Sequence, residues 1–142
     1  MKQLMASIFV LATVCLVGCA KCPTREEFLR KETECLKCYC VSNATAAEAA
    51  LLECARYARQ CQTAGVNGIK YDEVFARIYG RLYLVERHLG NSRAAEEYLD
   101  KIAQFYAGPG RVRPRADLPP IEMQALIEEK IDRGLMVAWK TQ

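Results

Sequence analysis

The chain has little histidine, and this shortage limits the chemistry that it could perform. Its single imidazole, His88, falls in the last turn of a predicted helix, where a basic side chain complements the helix dipole. No serine stands in a G-x-S-x-G setting, and no glycine-rich loop follows a strand. The sequence therefore offers no convincing catalytic centre, and we expect no cofactor and no bound metal.

Three further shortages limit the partners and the fold classes that the sequence allows. The net charge is only +3, and no cluster of basic and aromatic residues accompanies it, so we expect no nucleic-acid partner. No segment alternates apolar and polar residues as a half-buried strand would. Beyond the N-terminal residues, no run is long and apolar enough to cross a bilayer. What remains predicts an all-α protein.

The N-terminus carries the most specific pattern. Lys2 precedes an apolar run over residues 4–17, and the run leads into Leu16-Val17-Gly18-Cys19. A basic start, a short apolar stretch and a small residue before cysteine resemble the lipobox of bacterial lipoprotein signal peptides. The resemblance implies that residues 1–18 are removed and that the Cys19 thiol carries the lipid.

This resemblance also implies a location. Residues 19–23 would tether the protein to a membrane of the bacterial cell envelope, with the rest in water. Ala20 after the cysteine is the pattern that accompanies sorting to the outer membrane, facing the periplasm. Two alternatives remain open, namely ordinary secretory cleavage after Ala20 and an uncleaved anchor.

Apolar residues recur at helical spacing in about five segments, and we expect them to face inward. They are Phe28, Leu29, Cys35 and Leu36 in the first segment, Ala47, Leu51, Cys54, Ala58 and Cys61 in the second, and Val74, Phe75, Ile78, Leu82 and Val85 in the third. The predicted helices cover about residues 25–39, 45–63, 72–89, 92–106 and 121–139. Thr24 begins the first helix with a capping box, and Ser42-Asn43 forms a turn and a cap before the second. Gly90 makes a tight reversal between the third and fourth. Residues 108–120, rich in glycine, proline and arginine, predict a linker. We therefore expect antiparallel helical hairpins over 24–107 and a C-terminal helix within 121–142.

The third and fourth predicted helices resemble a tetratricopeptide repeat over residues 72–106. The resemblance is carried by Tyr79, Leu82, Gly90, Ala95, Leu99 and Ile102. Tyr83 and Glu86 depart from that family, which places a small residue and an aromatic residue there. The resemblance implies a groove that binds a protein partner. The candidate contact residues are Tyr71, Tyr79, Tyr83, Tyr98, Phe105 and Tyr106, with core packing as the alternative for each.

The cysteines that would remain beside the lipidated one form an even set. They are Cys22, Cys35, Cys38, Cys40, Cys54 and Cys61. Because an exported domain meets an oxidising compartment, we expect disulfides that staple the helices together. If the first two helices form an antiparallel hairpin, equal heights place Cys22 near Cys61 and Cys35 near Cys54.

Cys38 and Cys40 are then left near the turn of the hairpin. They could exchange places with Cys35 or pair between molecules, so the connectivity stays open. A zinc site is less favoured, because Cys35 and Cys38 have the C-x-x-C spacing but no second pair at similar spacing follows. Redox activity is a further alternative.

These features together predict a lipid-anchored, non-catalytic module that binds another protein of the envelope. One alternative is a periplasmic thiol–disulfide exchange protein that uses Cys38 and Cys40, which would need a reactive thiol of low pKa. The other is a structural envelope lipoprotein without a specific partner.

Overall fold

A computed structural model describes residues 22–105 and 128–142, and the fold over those residues is entirely helical. The elements are α1 (Arg25–Val41), α2 (Ala44–Thr63), α3 (Tyr71–Leu89), α4 (Ser92–Phe105) and a 3₁₀ helix (Ala138–Thr141). The predicted all-α class is confirmed. The predicted leader, Cys19, the linker at 108–120 and Tyr106 lie outside the described residues.

Side-chain caps determine where the first two helices begin. Thr24 Oγ1 accepts a hydrogen bond from the Glu27 amide at 3.2 Å, and Asn43 Oδ1 accepts one from the Ala46 amide at 2.9 Å. Each cap satisfies an amide that lacks a partner within its helix. Gly90 ends α3 with a φ of 80°, the left-handed conformation that glycine adopts without strain. The predicted cap and reversal positions are confirmed.

α3 is the central helix of the molecule. The helices pack in chain order, α1 on α2, α2 on α3 and α3 on α4. From Val74 to Glu86, every residue of α3 except Arg77 is buried. A helix buried on all sides is typical of the middle of a helical domain, because its neighbours cover its whole circumference.

Helical spacing identified most of the core correctly. All the apolar positions predicted to face inward in α2 and α3 are buried, namely Ala47, Leu51, Cys54, Ala58, Cys61, Val74, Phe75, Ile78, Leu82 and Val85. The prediction for Leu29 is wrong, because that side chain is 43% exposed. Tyr39, near the other end of α1, is fully buried instead. Trp139 and Asp132 of the C-terminal segment contact it, and Arg81 of α3 lies over its ring.

The prediction that the C-terminal helix extends to Trp139 is wrong. Residues 128–131 are helical, but the chain then turns at Gly134, which has a φ of 79°. Trp139 belongs to the 3₁₀ helix and is 1% exposed. Its ring meets Tyr39 edge-on at 5.5 Å and His88 at 5.0 Å between centroids. The chain turns at Gly134, and the indole of Trp139 then lies in the core. A helix that continued straight would not place it there.

Asp132 holds this C-terminal segment on α1 and α3. Its carboxylate accepts hydrogen bonds from Tyr39 Oη at 2.5 Å and from Arg81 Nε at 3.1 Å. Lys140 Nζ lies 3.2 Å from the same carboxylate. Burial, together with the neighbouring Asp132, raises the pKa of Tyr39, so the phenol remains a donor. Since Arg81 and Asp132 are both buried, each depends on the other for charge compensation.

We expect Asp132→Asn to lower the free energy of unfolding by about 3 kcal/mol, because Arg81 would remain buried without its counter-charge. Urea unfolding followed by circular dichroism and Trp139 fluorescence measures the change. Asp100→Asn, at an exposed position of α4, is the matched control and should alter stability by less than about 0.5 kcal/mol. Equal effects of the two substitutions would contradict a structural role for the buried ion pair.

Candidate functional site: the α2–α4 groove

An open groove of about 630 Å³ lies between α2 and α4, with α3 contributing to its wall. We call it the α2–α4 groove. It is lined by Leu52, Ala55, Arg56, Arg59, Gln60, Thr63, Ala64, Tyr79, Tyr98 and Lys101. Its volume falls within the range of roughly 300–1,000 Å³ that is typical of ligand-binding clefts.

Two stacked tyrosines form the aromatic part of the groove. The rings of Tyr79 and Tyr98 lie 5.9 Å apart at an interplanar angle of 22°. Phe75 stacks on Tyr79, with the two ring centroids 5.9 Å apart, and so continues the aromatic column into the core. Lys101 Nζ lies 4.8 Å from the Tyr98 centroid and 5.6 Å from the Tyr79 centroid, within cation–π range. The column therefore holds a cation at the edge of the groove.

The cations of the groove differ in how they are compensated. Arg56 forms an ion pair with Glu53 on the same helix. Arg59 instead donates a hydrogen bond from Nη2 to the hydroxyl of Tyr79. Among the residues that the structure describes, neither Arg59 nor Lys101 forms an ion pair with a carboxylate. Two positive charges thus remain to interact with an anionic group entering the groove.

A pair of carboxyl groups lies beside the same tyrosine column. Glu48, one helical turn before Leu52, lies near Glu86 of α3. Glu86 is 3% exposed and also accepts a hydrogen bond from Asn91 Nδ2 at 2.8 Å. Burial, and after it this contact with Glu86, raises the pKa of Glu48. The two acids also help burial to raise the pKa of Tyr98, which indicates that they lie near its ring.

The charge along α2 is therefore polarised. Glu48 stands near the start of the helix and Arg59 three turns later, so acidic and basic side chains occupy different ends of one face. An extended ligand with a carboxylate would be favoured in one orientation, its negative group towards Arg59 and Lys101.

We expect Glu48→Gln to stabilise the protein at pH 7 by about 0.5 kcal/mol. The folded-state pKa of Glu48 lies above its ordinary value of 4.5, so the folded state holds this proton more tightly than the unfolded state. Stability from the shared proton is present at low pH and is lost as pH rises through the folded-state pKa. A glutamine amide donates to Glu86 at every pH, so the gain should shrink at pH 4.

Urea unfolding of both chains at pH 4 and pH 7 measures this difference. Glu96→Gln, at an exposed position of α4, controls for the general loss of one negative charge. A gain at Glu48 that is the same at both pH values, or no larger than that at Glu96, would contradict a shared proton.

The structure brings only two of the predicted contact tyrosines, Tyr79 and Tyr98, to the groove. Tyr83 is 1% exposed and belongs to the core, as the alternative interpretation had it. Tyr71 is half-buried and donates a hydrogen bond to the Val66 carbonyl at 2.9 Å, which ties down the loop before α3. The side chain of Phe105 and all of Tyr106 lie outside the described part of the chain.

Sequence reasoning missed the basic residues of the groove. Leu52, Arg59 and Thr63 recur at spacings of seven and four residues on α2, opposite the buried stripe that contains Cys54 and Cys61. That second stripe was visible in the sequence, but an exposed basic side chain on a helix is ordinary. Only the arrival of Tyr79 and Tyr98 from other helices turns it into a groove.

The expected disulfides are not formed in the structure, where Cys22, Cys35, Cys38, Cys40, Cys54 and Cys61 are all free thiols. Cys38 Sγ lies 3.3 Å from Ser42 Oγ and 3.6 Å from the Ala46 carbonyl. Burial raises the pKa of Cys40, against the opposing influence of Arg81. The two thiols of the exchange hypothesis therefore have different neighbours. Among the described residues, no group of three histidine, cysteine or acidic side chains could hold a metal ion.

No family model, curated protein or solved structure matches this chain. Within residues 22–105 and 128–142, no helix combines the length and the hydrophobicity needed to cross a bilayer. α3 and α4 pack on each other and are joined at Gly90. Membership of that family and of the lipoproteins stays a prediction.

Proposed function

We propose that this chain is a lipid-anchored lipoprotein of the bacterial cell envelope that binds another envelope protein and catalyses no reaction. The observation that carries the binding role is the α2–α4 groove, in which stacked tyrosines lie beside two cations that lack a carboxylate partner within the described residues. The lipobox-like residues before Cys19 support the anchor.

The chemistry of the groove defines the partner segment as acidic and partly apolar. Arg59 and Lys101 would bind carboxylates, and a guanidinium suits a carboxylate because it can donate two parallel hydrogen bonds. Leu52, which is 44% exposed, and the ring of Tyr98 supply apolar surface next to them. A peptide that alternates acidic and aliphatic side chains fits this combination.

We expect a fluorescein-labelled peptide of alternating glutamate and leucine to bind saturably, and added salt to weaken the binding. Arg59→Glu and Lys101→Glu should each weaken it roughly tenfold, because each replaces an attraction by a repulsion. Fluorescence anisotropy measures the affinity, and circular dichroism confirms that the variants are folded. Lys37→Glu, an equal charge change on the exposed side of α1, is the matched control.

Equal binding of all four chains, or equal binding of a lysine–leucine peptide, would overturn the proposed recognition. If the labelled peptide binds as expected, the natural partner can be sought in the host envelope by placing a photo-crosslinking residue at position Tyr98. A partner that couples from this position but not from Lys37, and that is lost with Arg59→Glu, would occupy the groove.

The anchor is tested by replacing Cys19 with serine. We expect the wild-type chain to incorporate labelled palmitate and to remain with the membrane, because the thiol carries the acyl groups. Cys19→Ser should abolish the label, whereas Cys15→Ser, within the predicted apolar region, should retain it. Intact mass identifies the mature N-terminus. An unlabelled chain that begins at Lys21 would show ordinary secretory cleavage and contradict the anchor.

A further inference from the structure

Two buried cysteines meet where α1 packs on α2. Cys35 of α1 is 8% exposed and Cys54 of α2 is 4% exposed, and both belong to the hydrophobic core. They line the same surface pocket of about 180 Å³, and they lie close enough together for each thiol to shift the pKa of the other. We propose that Cys35 and Cys54 are a modification site, at which a disulfide joins α1 to α2.

The contact also gives the two sulfurs different roles. The neighbouring Cys35 thiol lowers the pKa of Cys54, and Arg81 and Arg77 add to this effect against burial and Glu32. The Cys54 thiol, followed by burial, raises the pKa of Cys35. Cys54 is therefore the thiol that ionises first and attacks, because the thiolate is the nucleophile.

The reaction requires an oxidant of the disulfide class, such as oxidised glutathione or the disulfide of a thiol oxidoreductase. The Cys54 thiolate attacks one sulfur of that disulfide, breaks its S–S bond and releases one thiolate, which takes up the proton that Cys54 lost. Cys35 then attacks Cys54 Sγ, gives up its proton and releases the second thiol. Two electrons pass to the oxidant, and the Cys35–Cys54 bond remains.

Access to the pair is through the pocket that both sulfurs line. Its other lining residues are Lys31, Glu34, Ala50 and Glu53. Lys31 is half-buried at this opening and brings positive charge to it. The sequence offers one nearby competitor, Cys38, which lies three residues after Cys35 on the same helix.

The proposed disulfide does not depend on the α2–α4 groove. It depends on export only because export supplies the oxidising compartment. We would equilibrate the reduced full-length chain with mixtures of reduced and oxidised glutathione and then alkylate the remaining thiols. Digestion after both basic and glutamate residues separates Cys35 in fragment 35–37, Cys38 and Cys40 in 38–48, and Cys54 in 54–56. Mass spectrometry then identifies the linked fragments directly.

We expect fragment 35–37 to be linked to fragment 54–56, lighter by two hydrogens than the separate thiols. Cys38→Ser should preserve this link, and Cys54→Ser should abolish it while circular dichroism shows a folded chain. Reductant should lower the urea midpoint of the wild type but not that of Cys54→Ser, since a cross-link restricts the unfolded chain. A link from 35–37 to 38–48, or alkylation of both Cys35 and Cys54 in the most oxidising mixture, would overturn the proposal.

The result separates this inference from the proposed anchor. A Cys35–Cys54 link in a chain that takes up no palmitate leaves the disulfide standing and overturns the lipoprotein. A lipidated chain isolated without reductant whose Cys35 and Cys54 are both alkylated overturns the disulfide and leaves the lipoprotein standing.

Discussion

The arrangement of the described residues depends on one buried ion pair, between Arg81 of α3 and Asp132 of the C-terminal segment. α3 is covered on every side, so the guanidinium of Arg81 cannot reach bulk water from the middle of that helix. An uncompensated charge there would be prohibitive, and the only carboxylate that meets it within the described residues comes from 51 positions further along the chain. Tyr39 and Lys140 use the remaining lone pairs of the same carboxylate. One side chain thereby joins α1, α3 and the C-terminus.

The groove is a consequence of the same burial. A central helix that is apolar around its circumference needs a neighbour on each side, so α2 and α4 both pack on α3. Tyr79 projects from α3 towards the gap between them and receives Tyr98 from one side and the hydrogen bond of Arg59 from the other. The residues that line the groove are thus held by the core, which favours a preformed cleft over one that must be assembled on binding.

The sequence predicted what local chemistry controls and missed what distant contacts control. The caps at Thr24 and Asn43, the reversal at Gly90 and the inward stripe of α2 each follow from residues within one or two helical turns. The end of the C-terminal helix could not be found in that way, because Trp139 turns inward to meet Tyr39, which lies on α1. Tyr83 shows the same limit, since spacing alone cannot decide between a core tyrosine and a contact tyrosine. Arg59 and Lys101 acquire significance only when three helices bring them to one cleft.

α2 carries the residues of the two proposed sites on opposite faces. Cys54 and Cys61 lie on the face buried towards the core, where α1 packs, whereas Leu52, Arg59 and Thr63 lie about half a helical turn away, on the groove side. A bond between Cys35 and Cys54 would therefore fix the position of α2 on α1 without occupying the surface that faces α4. It would also restrict the helix on which Arg59 stands, and so reduce the conformational freedom lost when a ligand binds. The proposed oxidation of Cys54 and the proposed binding of a ligand in the groove are therefore compatible on a single helix, because its two faces have separate neighbours.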